Sequence, residues 1–381
     1  MGSPSEIVPV KIFYPSPAIG RDFYCIIDWT NECNQAASIM KKIFYLVILL
    51  TLVYTSYNLF LKTTHFSGEK SSFVYQKTGL ADLADTLVAK KIILDKPSFL
   101  LFAKLLKVED KLKPGKFLVL KNTSLLSILR MLRNNQQATV KFVLNKVRTR
   151  AELSKLIAAT FATDSAACAT YLNSNDSLAK FDTDTTQLLT LFIPNTYELY
   201  WSTPMAKLLQ KMKTTADQFW NNNNRIQKAN ALGLSKNEVY TLASIVEEET
   251  NYDSDKIIIA SVYQNRLKKN MPLQACPTIK YAMQDFTLTR IYDKYLSNPS
   301  PYNTYRNKGL PPGPIGTPAS KTIDLVLDAP STEYIYFVAK ADFSGYHHFS
   351  SNYAEHLKYA KEYQHQLDLY QANKKQKEAL K

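Results

Sequence analysis

Three consecutive glutamates, Glu247 to Glu249, are the residues whose type and spacing best suit acid–base chemistry. They end a stretch of helical periodicity, and an α-helix turns by ~100° per residue. On that arithmetic Glu249 lies ~20° from Leu242, on the apolar face, whereas Glu247 and Glu248 point ~140° and ~120° away. One carboxyl of the three is therefore turned toward the side of the helix that packs. The other interpretation is a solvated acidic helix end, which is the usual arrangement of such a run.

The helix that would position these acids has a clear start signal. Ser235 and Glu238 have the spacing of a capping box. The following apolar positions recur at helical spacing: Val239, Leu242, Ala243 and Val246. The helix dipole and two neighbouring acids both raise the pKa of a carboxyl at the C-terminus, as a general acid working near neutral pH requires. The sequence therefore predicts a helix over residues 235–250 with Glu249 as a candidate general acid.

The composition indicates a folded protein of two or three domains. The chain has 381 residues, of which 45% are hydrophobic and 21% charged. A net charge of +14 suits an anionic partner, such as a lipid surface or an acidic polymer. Nucleic acid is not an expected partner, because no zinc-finger spacing, RNA-recognition signature or arginine-rich helix occurs.

The cysteine pattern predicts neither a metal site nor a disulfide framework. No CxxC and no Cys/His cluster with metal spacing occurs. We therefore expect free thiols, no metal and no cofactor. The four cysteines are Cys25, Cys33, Cys168 and Cys276.

An apolar stretch near the N-terminus predicts a membrane anchor. Residues 43–61 are about nineteen residues without a charge, long enough to cross a bilayer. Lys41 and Lys42 before it, against Lys62 after it, favour a cytoplasmic N-terminus. The chain would then be a single-pass protein of the inner (cytoplasmic) membrane with its larger part on the periplasmic or extracytoplasmic side. Residues 1–42 would be a short tail, or Met40 would be the true start.

Two other interpretations of the apolar stretch remain open. A cleaved signal peptide is one, although no small-x-small site follows the stretch. A buried helix of a soluble domain is the other.

The predicted fold class is α+β. Residues 73–137 read as strand, helix, helix, strand and helix, a small α+β module that resembles a LysM-like glycan-binding unit. Residues 138–370 form a mixed α/β region with a core over residues 235–363, and residues 371–381 are a basic tail. Residues 191–201 (LFIPNTYELYW) are predicted to be a loop that either lines a groove or packs.

A loop rich in proline and glycine, residues 299–318, is the second candidate surface for a sugar polymer. Proline makes such a loop rigid, so its polar groups are presented without an ordering cost. Within it, Tyr302, Asn303, Thr304 and Tyr305 offer amide, hydroxyl and aromatic groups. Thr317 is predicted to cap the next helix, and a hairpin around Gly345 and a final helix follow.

Three segments together resemble the YceG-like family of membrane-anchored endolytic murein transglycosylases: ASIVEEET, LQACPTIKYAM and YNTYRNKGLPPGPIGTP. The resemblance covers most of the chain from the anchor onward and is most specific over residues 241–318. It implies that Glu249 is the catalytic acid and base, with Glu247 in a supporting role. Gln274 and Thr278 match the family pattern and are candidate substrate-binding residues. Cys276 departs from it, because the family often carries Asp there.

The resemblance also implies a reaction and partners. The bond between N-acetylmuramic acid and N-acetylglucosamine within peptidoglycan strands would be cleaved to a 1,6-anhydro end, which would limit or terminate strand elongation. That chemistry needs one carboxyl and no activated water, unlike glycosidases with paired carboxylates. Expected partners are peptidoglycan, the inner membrane and, as candidates, cell-wall synthases.

Other functions remain open from the sequence. One is a hydrolytic muramidase that uses the same glutamate with water. Another is a non-catalytic peptidoglycan-binding anchor of the cell-wall machinery. A nucleophilic Cys276 is a further alternative, but no motif supplies its histidine, and His347 and His348 are expected to be structural or to line the groove.

Overall fold

The structure, a computed structural model, describes residues 29–61, 64–288 and 290–379. The N-terminal unit is helix α1, Trp29–Ser56, followed by a π-helical turn, Tyr57–Leu61. Within it Gln35–Ser56 is long and apolar enough to cross a membrane. The predicted apolar helix is confirmed, but it begins inside the predicted tail. The remainder of that tail, residues 1–28, lies outside the described residues.

The small module has the element order that the sequence predicts. Its elements are β1 (Lys70–Tyr75), α2 (Leu80–Ala89), α3 (Lys96–Leu105), β2 (Gly115–Leu120) and α4 (Leu125–Arg133). Strands β1 and β2 are antiparallel and place Phe73 opposite Phe117. Both rings are buried, with centroids 5.5 Å apart. Asp95 caps α3 by accepting a hydrogen bond from the Ser98 N–H.

The larger region follows in the same chain order. Its first half contains β3 (Thr139–Leu144), α5 (Arg150–Thr160), α6 (Ser165–Leu172), α7 (Asn175–Ala179), a 3-10 turn (Leu188–Leu191), β4 (Asn195–Tyr200), α8 (Met205–Asn221) and α9 (Arg225–Ala231). Its second half contains α10 (Lys236–Glu249), α11 (Asp253–Lys268), α12 (Cys276–Met283), α13 (Asp293–Leu296), α14 (Ser320–Leu327), β5 (Tyr336–Ala339), β6 (His347–Ser350) and α15 (Tyr353–Ala379). The described strands form three two-stranded antiparallel sheets. The predicted α+β class is confirmed.

Helix α10 is the central element of this region. Its capping box is present as predicted, with the Ser235 side chain accepting from the Glu238 N–H and the Glu238 carboxylate accepting from the Ser235 N–H. Eight successive residues, 239 to 246, are buried, because α10 packs against α11, α12 and α14. The helix is thus enclosed on more than one side, and its apolar stripe is only part of its buried surface.

The prediction of a loop over residues 191–201 is wrong for most of its length. Strand β4 pairs with β3, which places Tyr197 opposite Phe142 and Leu199 opposite Val140. Tyr197 is buried and its ring packs against Phe142. The alternation of inward and outward side chains was therefore a strand signal, and the paired residues of β3 lie 51 to 61 positions earlier in the chain.

The predicted helix cap at Thr317 is also wrong. The Thr317 hydroxyl accepts from the Val147 N–H at 2.9 Å and donates to the Asn145 carbonyl at 3.1 Å. It therefore fastens the end of the proline-rich loop to the β3–α5 connection, and α14 begins later, at Ser320. The predicted hairpin is confirmed, because β5 and β6 pair across the turn that contains Gly345.

Candidate active site

Glu249 lies at the end of α10 and is partly buried. Its Oε1 accepts a hydrogen bond from the Tyr263 hydroxyl at 2.6 Å. Burial raises the pKa of Glu249 to about 7, with a smaller contribution from the charge of Glu248. The hydrogen bond from Tyr263 and the charges of Lys280 and Arg266 oppose that rise. A carboxyl with this pKa is present in both its protonated and ionised forms near neutral pH.

The two preceding acids are both held by cations, so the interpretation of a solvated acidic helix end is wrong. Lys256 on α11 donates to Glu247 Oε2 at 3.0 Å, and the Thr322 hydroxyl on α14 donates to the same oxygen. Glu247 therefore ties α10 to two neighbouring helices. Its side chain is only 19% exposed.

Glu248 is bound by two cations of the β3–α5 connection. Lys146 Nζ lies 2.8 Å from its Oε1, and Arg148 donates to both carboxylate oxygens, at 3.0 and 3.2 Å. Burial alone would raise the pKa of Glu248, but the hydrogen bonds from Arg148 and Lys146 hold it below its ordinary value. Neighbouring carboxyls on one helix end thus have pKa values moved in opposite directions.

Arg266 connects the segments that form the wall beside Glu249. Its guanidinium donates to the carbonyls of Ile335, Leu273 and Pro272, at 2.7, 2.9 and 3.2 Å, and to Gln274 Oε1 at 3.3 Å. Gln274 is exposed, and its φ of 53° places it in the left-handed region. The arginine thereby fixes both the turn before α12 and the approach to β5.

Three of the candidate substrate-binding residues are buried and bound to protein atoms. Thr304 Oγ1 accepts from the Ala275 N–H at 3.0 Å and shares a hydrogen bond with Thr278 Oγ1 at 2.9 Å. Asn303 Nδ2 donates to the carbonyls of Leu296 and Asn298, and its Oδ1 accepts from the Tyr305 N–H at 3.0 Å. All three side chains are at most 1% exposed. Thr278 and Thr304 hold the loop against the start of α12, and Asn303 ties the loop to the residues just before it. None of the three is available to a sugar in this structure.

Tyr302 and Tyr305 are partly exposed. The Tyr302 ring packs against Tyr281, with centroids 4.7 Å apart. The Tyr305 hydroxyl shares a hydrogen bond with Cys276 Sγ at 3.2 Å. The charge of Glu249 acts on the Tyr305 hydroxyl, so Tyr305, and not Asn303 or Thr304, is the member of the YNTY segment assigned to the side of the candidate acid.

Cys276 is a free cysteine whose residue surface is exposed, although its sulfur lies against Tyr305. Burial of its sulfur and the charge of Glu249 raise the pKa of Cys276, so the thiol is neutral at physiological pH and is not an activated nucleophile. His347 Nδ1 is 3.0 Å from Asp255, and His348 stacks on Tyr359 at 4.1 Å, so both histidines have structural contacts.

Cys168 is likewise a free thiol, and it is buried. The predictions for Cys25 and Cys33 fall outside the side chains that the structure describes. Within the described ranges, no group of three or more His, Cys, Asp or Glu side chains is placed to hold a metal ion.

Tyr263, Arg266 and Lys280 are the site residues that the sequence reasoning missed. The available signal for the first two was a tyrosine at the end of the apolar run of α11, followed three positions later by an arginine. Residues three apart share a helix face, and both side chains here are buried.

The fold and the site together define an α+β protein with one raised-pKa carboxyl at the end of a buried central helix. The chain belongs to the YceG-like family, whose sequence model matches residues 73–362.

Curated relatives carry a common name. The endolytic murein transglycosylase of Bacillus subtilis is 42% identical over 130 residues, 34% of this chain and 35% of that protein. The protein of the same name from Streptococcus pneumoniae is 32% identical over 167 residues, 43% of this chain and 30% of that protein. The chain thus matches about a third of the length of these relatives.

A crystal structure of a yceG-like protein from Listeria monocytogenes matches with a TM-score of 0.51 and 26% identity. The match covers 77% of this chain and 99% of that protein. It supports the α+β class over most of the chain.

Proposed function

We propose that this chain is a lytic transglycosylase that cleaves peptidoglycan strands between N-acetylmuramic acid and N-acetylglucosamine. The name shared by its Bacillus and Streptococcus relatives supports the substrate and the reaction class. The observation that carries the proposal is Glu249, a single carboxyl whose pKa is raised to about 7 by burial.

The reaction requires Glu249 to act first as an acid and then as a base. The protonated carboxyl gives its proton to the glycosidic oxygen, the bond from that oxygen to the muramyl C1 breaks, and N-acetylglucosamine leaves. The muramyl 6-hydroxyl then forms a bond to C1 and returns its proton to the Glu249 carboxylate. No water is consumed, and the product is a 1,6-anhydro end. An internal hydroxyl has a very high effective concentration compared with bulk water.

The second carboxyl of the site bears on the choice between transglycosylase and hydrolase. Among the described residues, Glu248 is the other acid that acts on the pKa of Glu249. Its two oxygens are already engaged by Lys146 and Arg148. Paired-carboxylate glycosidases use the second carboxyl as a nucleophile or to activate water, and engaged oxygens suit neither task. A hydrolytic muramidase that uses Glu249 with water is the second candidate, because a carboxyl with a pKa of about 7 can also serve a reaction with water.

Substrate contacts are assigned to the exposed and partly exposed members of the predicted set. Gln274, Tyr302 and Tyr305 present amide and aromatic groups to the sugar, while Thr278, Asn303 and Thr304 hold the loop. Glu247 supports the site by fixing α10 to α11 and α14.

The module over residues 73–137 has two antiparallel strands around two helices, an arrangement that supports a LysM-like role in binding glycan. In the cell, the enzyme would act beside cell-wall synthases and limit the elongation of glycan strands.

Helix α1 is proposed to anchor the protein in the cytoplasmic membrane with the catalytic region outside the cytoplasm. Gln35–Ser56 has the length and composition of a membrane span. The hydroxyls of Thr51 and Thr55 donate to carbonyls of the same helix, at 2.7 and 2.9 Å, so they need no partner in lipid. The full chain should remain with membranes after a high-salt wash. Release by salt would indicate a peripheral protein held by its net charge of +14.

The reaction is tested by mass spectrometry of products from purified glycan strands in heavy-oxygen water. The expected product ends in 1,6-anhydro-N-acetylmuramic acid, without heavy oxygen and without a reducing end. Reducing muramic acid ends that carry heavy oxygen would identify a muramidase. The absence of any cleavage, together with retained binding to peptidoglycan, would identify a non-catalytic anchor. Glu249→Gln is the inactive control.

A further inference from the structure

A small cavity of about 100 Å³ lies at the end of α10 that carries the candidate acid, with Glu248 in its lining. Lys280 both lines this cavity and acts electrostatically on Glu249, and Glu248 is part of the same wall. Sites for drug-sized ligands measure about 300–1,000 Å³, so the space suits a substituent and not a sugar ring. The lining residues are Arg148, Glu248, Pro277, Lys280, Phe286 and Ile315.

The lining combines apolar and cationic groups. Pro277, Phe286 and Ile315 supply the apolar surface. Arg148 lies over the Phe286 ring, with its guanidinium carbon 5.1 Å from the centroid. The cavity can therefore receive a small group that has both a hydrocarbon part and a charge.

The charge of the lining is net positive. The carboxylate of Glu248 already binds both Lys146 and Arg148. Lys280 Nζ, by contrast, makes no hydrogen bond to any residue of the described ranges, and its side chain is partly exposed. A cation without a hydrogen-bonded partner, facing a cavity, favours an anion.

The substrate of the proposed function carries such a group. Muramic acid differs from glucosamine by a 3-O-lactyl ether, which bears a methyl group and a carboxyl. In a stripped strand, from which the peptide stems have been removed, that carboxyl is free. In an intact strand it forms an amide with the peptide stem, and the stem supplies the next carboxylates.

We propose that this cavity binds a carboxylate carried by the muramyl residue at the scissile bond, with Lys280 as its charge partner. The proposal rests on the proposed function for its substrate. On this proposal the cavity distinguishes muramic acid from glucosamine. A site that contacts only the sugar ring and its acetamido group could not make that distinction, because both sugars carry them.

The test measures binding by the full-length Glu249→Gln protein in detergent, so that neither turnover nor the titration of Glu249 affects the result. The probes are a stripped tetrasaccharide of alternating N-acetylglucosamine and N-acetylmuramic acid, the same tetrasaccharide with peptide stems, and chitotetraose. We expect at least one muramyl ligand to bind roughly tenfold more tightly than chitotetraose, the value of one hydrogen bond to a charged group.

Variants of one lysine decide the assignment. Lys280→Gln should abolish the tenfold preference, and Lys280→Arg should retain most of it. The matched control is Lys155→Gln, an exposed lysine of α5 that should leave the preference unchanged. Equal binding of all three probes, or a preference that survives Lys280→Gln, would overturn the proposal.

The two muramyl probes distinguish the source of the carboxylate. A preference confined to the stripped probe identifies the lactyl carboxylate, whereas a preference confined to the probe with stems identifies the peptide. The proposed function is judged separately, by cleavage with the unsubstituted chain. Cleavage without the preference would reject the cavity alone, and the preference without cleavage would reject the reaction alone.

Discussion

Replacing Glu249 with glutamine should stabilise the protein at alkaline pH. Burial raises the pKa of this carboxyl from 4.5 to about 7, and at 1.36 kcal/mol per unit the shift corresponds to roughly 3 kcal/mol. Because the folded-state pKa exceeds the unfolded one, the associated stability is complete below the unfolded pKa and is lost as pH rises through about 7. Glutamine keeps the shape, can accept the Tyr263 hydrogen bond and does not ionise.

We therefore expect Glu249→Gln to match the parent protein at pH 4 and to exceed its free energy of unfolding by roughly 3 kcal/mol at pH 8. Urea denaturation of the full chain at pH values from 4 to 9 measures the difference. Activity is lost in the same variant, because the proton donor is gone. A variant that is less stable than the parent at pH 8, or a difference that does not change with pH, would refute the reasoning.

Glu248→Gln is the matched control, because the pKa of its carboxyl is shifted the other way. Hydrogen bonds from Arg148 and Lys146 lower that pKa against the effect of burial. A lowered folded-state pKa adds stability above the unfolded pKa, and this stability is lost as pH falls through the folded pKa. Glu248→Gln should therefore be less stable than the parent at pH 8, with a difference that shrinks in acid.

Three further substitutions test the contacts of the site. Tyr263→Phe removes a hydrogen bond that lowers the pKa of Glu249. The alkaline limb of the pH–rate profile should therefore move to higher pH by roughly one unit. A limb that stays at the same pH would contradict the contact. Asn303→Ala removes a buried side chain that makes three hydrogen bonds and should cost about 2 kcal/mol of stability, seen as a lower melting temperature with an unchanged pH profile. Cys276→Asp adds a second acid beside Glu249 and should move the alkaline limb to higher pH, because like charges oppose ionisation. Cys276→Ser should leave that limb in place.

Local sequence signals were sufficient for the helix that carries the acid. The capping box of α10 and the direction of Glu249 follow from spacing along one helix, and both are found in the structure. The order of elements in the small module was likewise predictable from local periodicity. These features depend on neighbours within a few positions of each other.

Features that depend on distant partners were not predictable in the same way. Strand β4 was missed because its pairing partner β3 lies far along the chain. The periodicity of α10 correctly predicted that Glu248 points away from the apolar stripe. That Arg148 donates a hydrogen bond to Glu248 on this side depends on the fold. Thr317 looked like a helix cap because its residue type suits one, and its actual partners belong to another segment.

The candidate sugar-binding loop shows why residue type alone does not separate two roles. Amide and hydroxyl side chains can bind a sugar or satisfy a backbone, and a tight proline-rich loop has many carbonyls and N–H groups to satisfy. Asn303 is fully buried and satisfies three of them. Burial, which is a property of the whole fold, decides between the roles.

The acid itself illustrates how local and distant contributions combine. The sequence indicated a raised pKa for Glu249 from the helix end and its acidic neighbours, and in the structure burial is the largest cause. Three groups oppose the rise in pKa that burial causes: the hydroxyl of Tyr263 and the charges of Lys280 and Arg266. A carboxyl that was only buried would keep its proton too firmly to donate it, and one fully paired with cations would rarely hold a proton. The proposed reaction requires the same carboxyl to give a proton and then to take one back, which is most effective when its pKa lies near the working pH. The opposing contributions bring Glu249 to that value, so the residues that weaken its pKa shift are as necessary to the proposed chemistry as the burial that causes the shift.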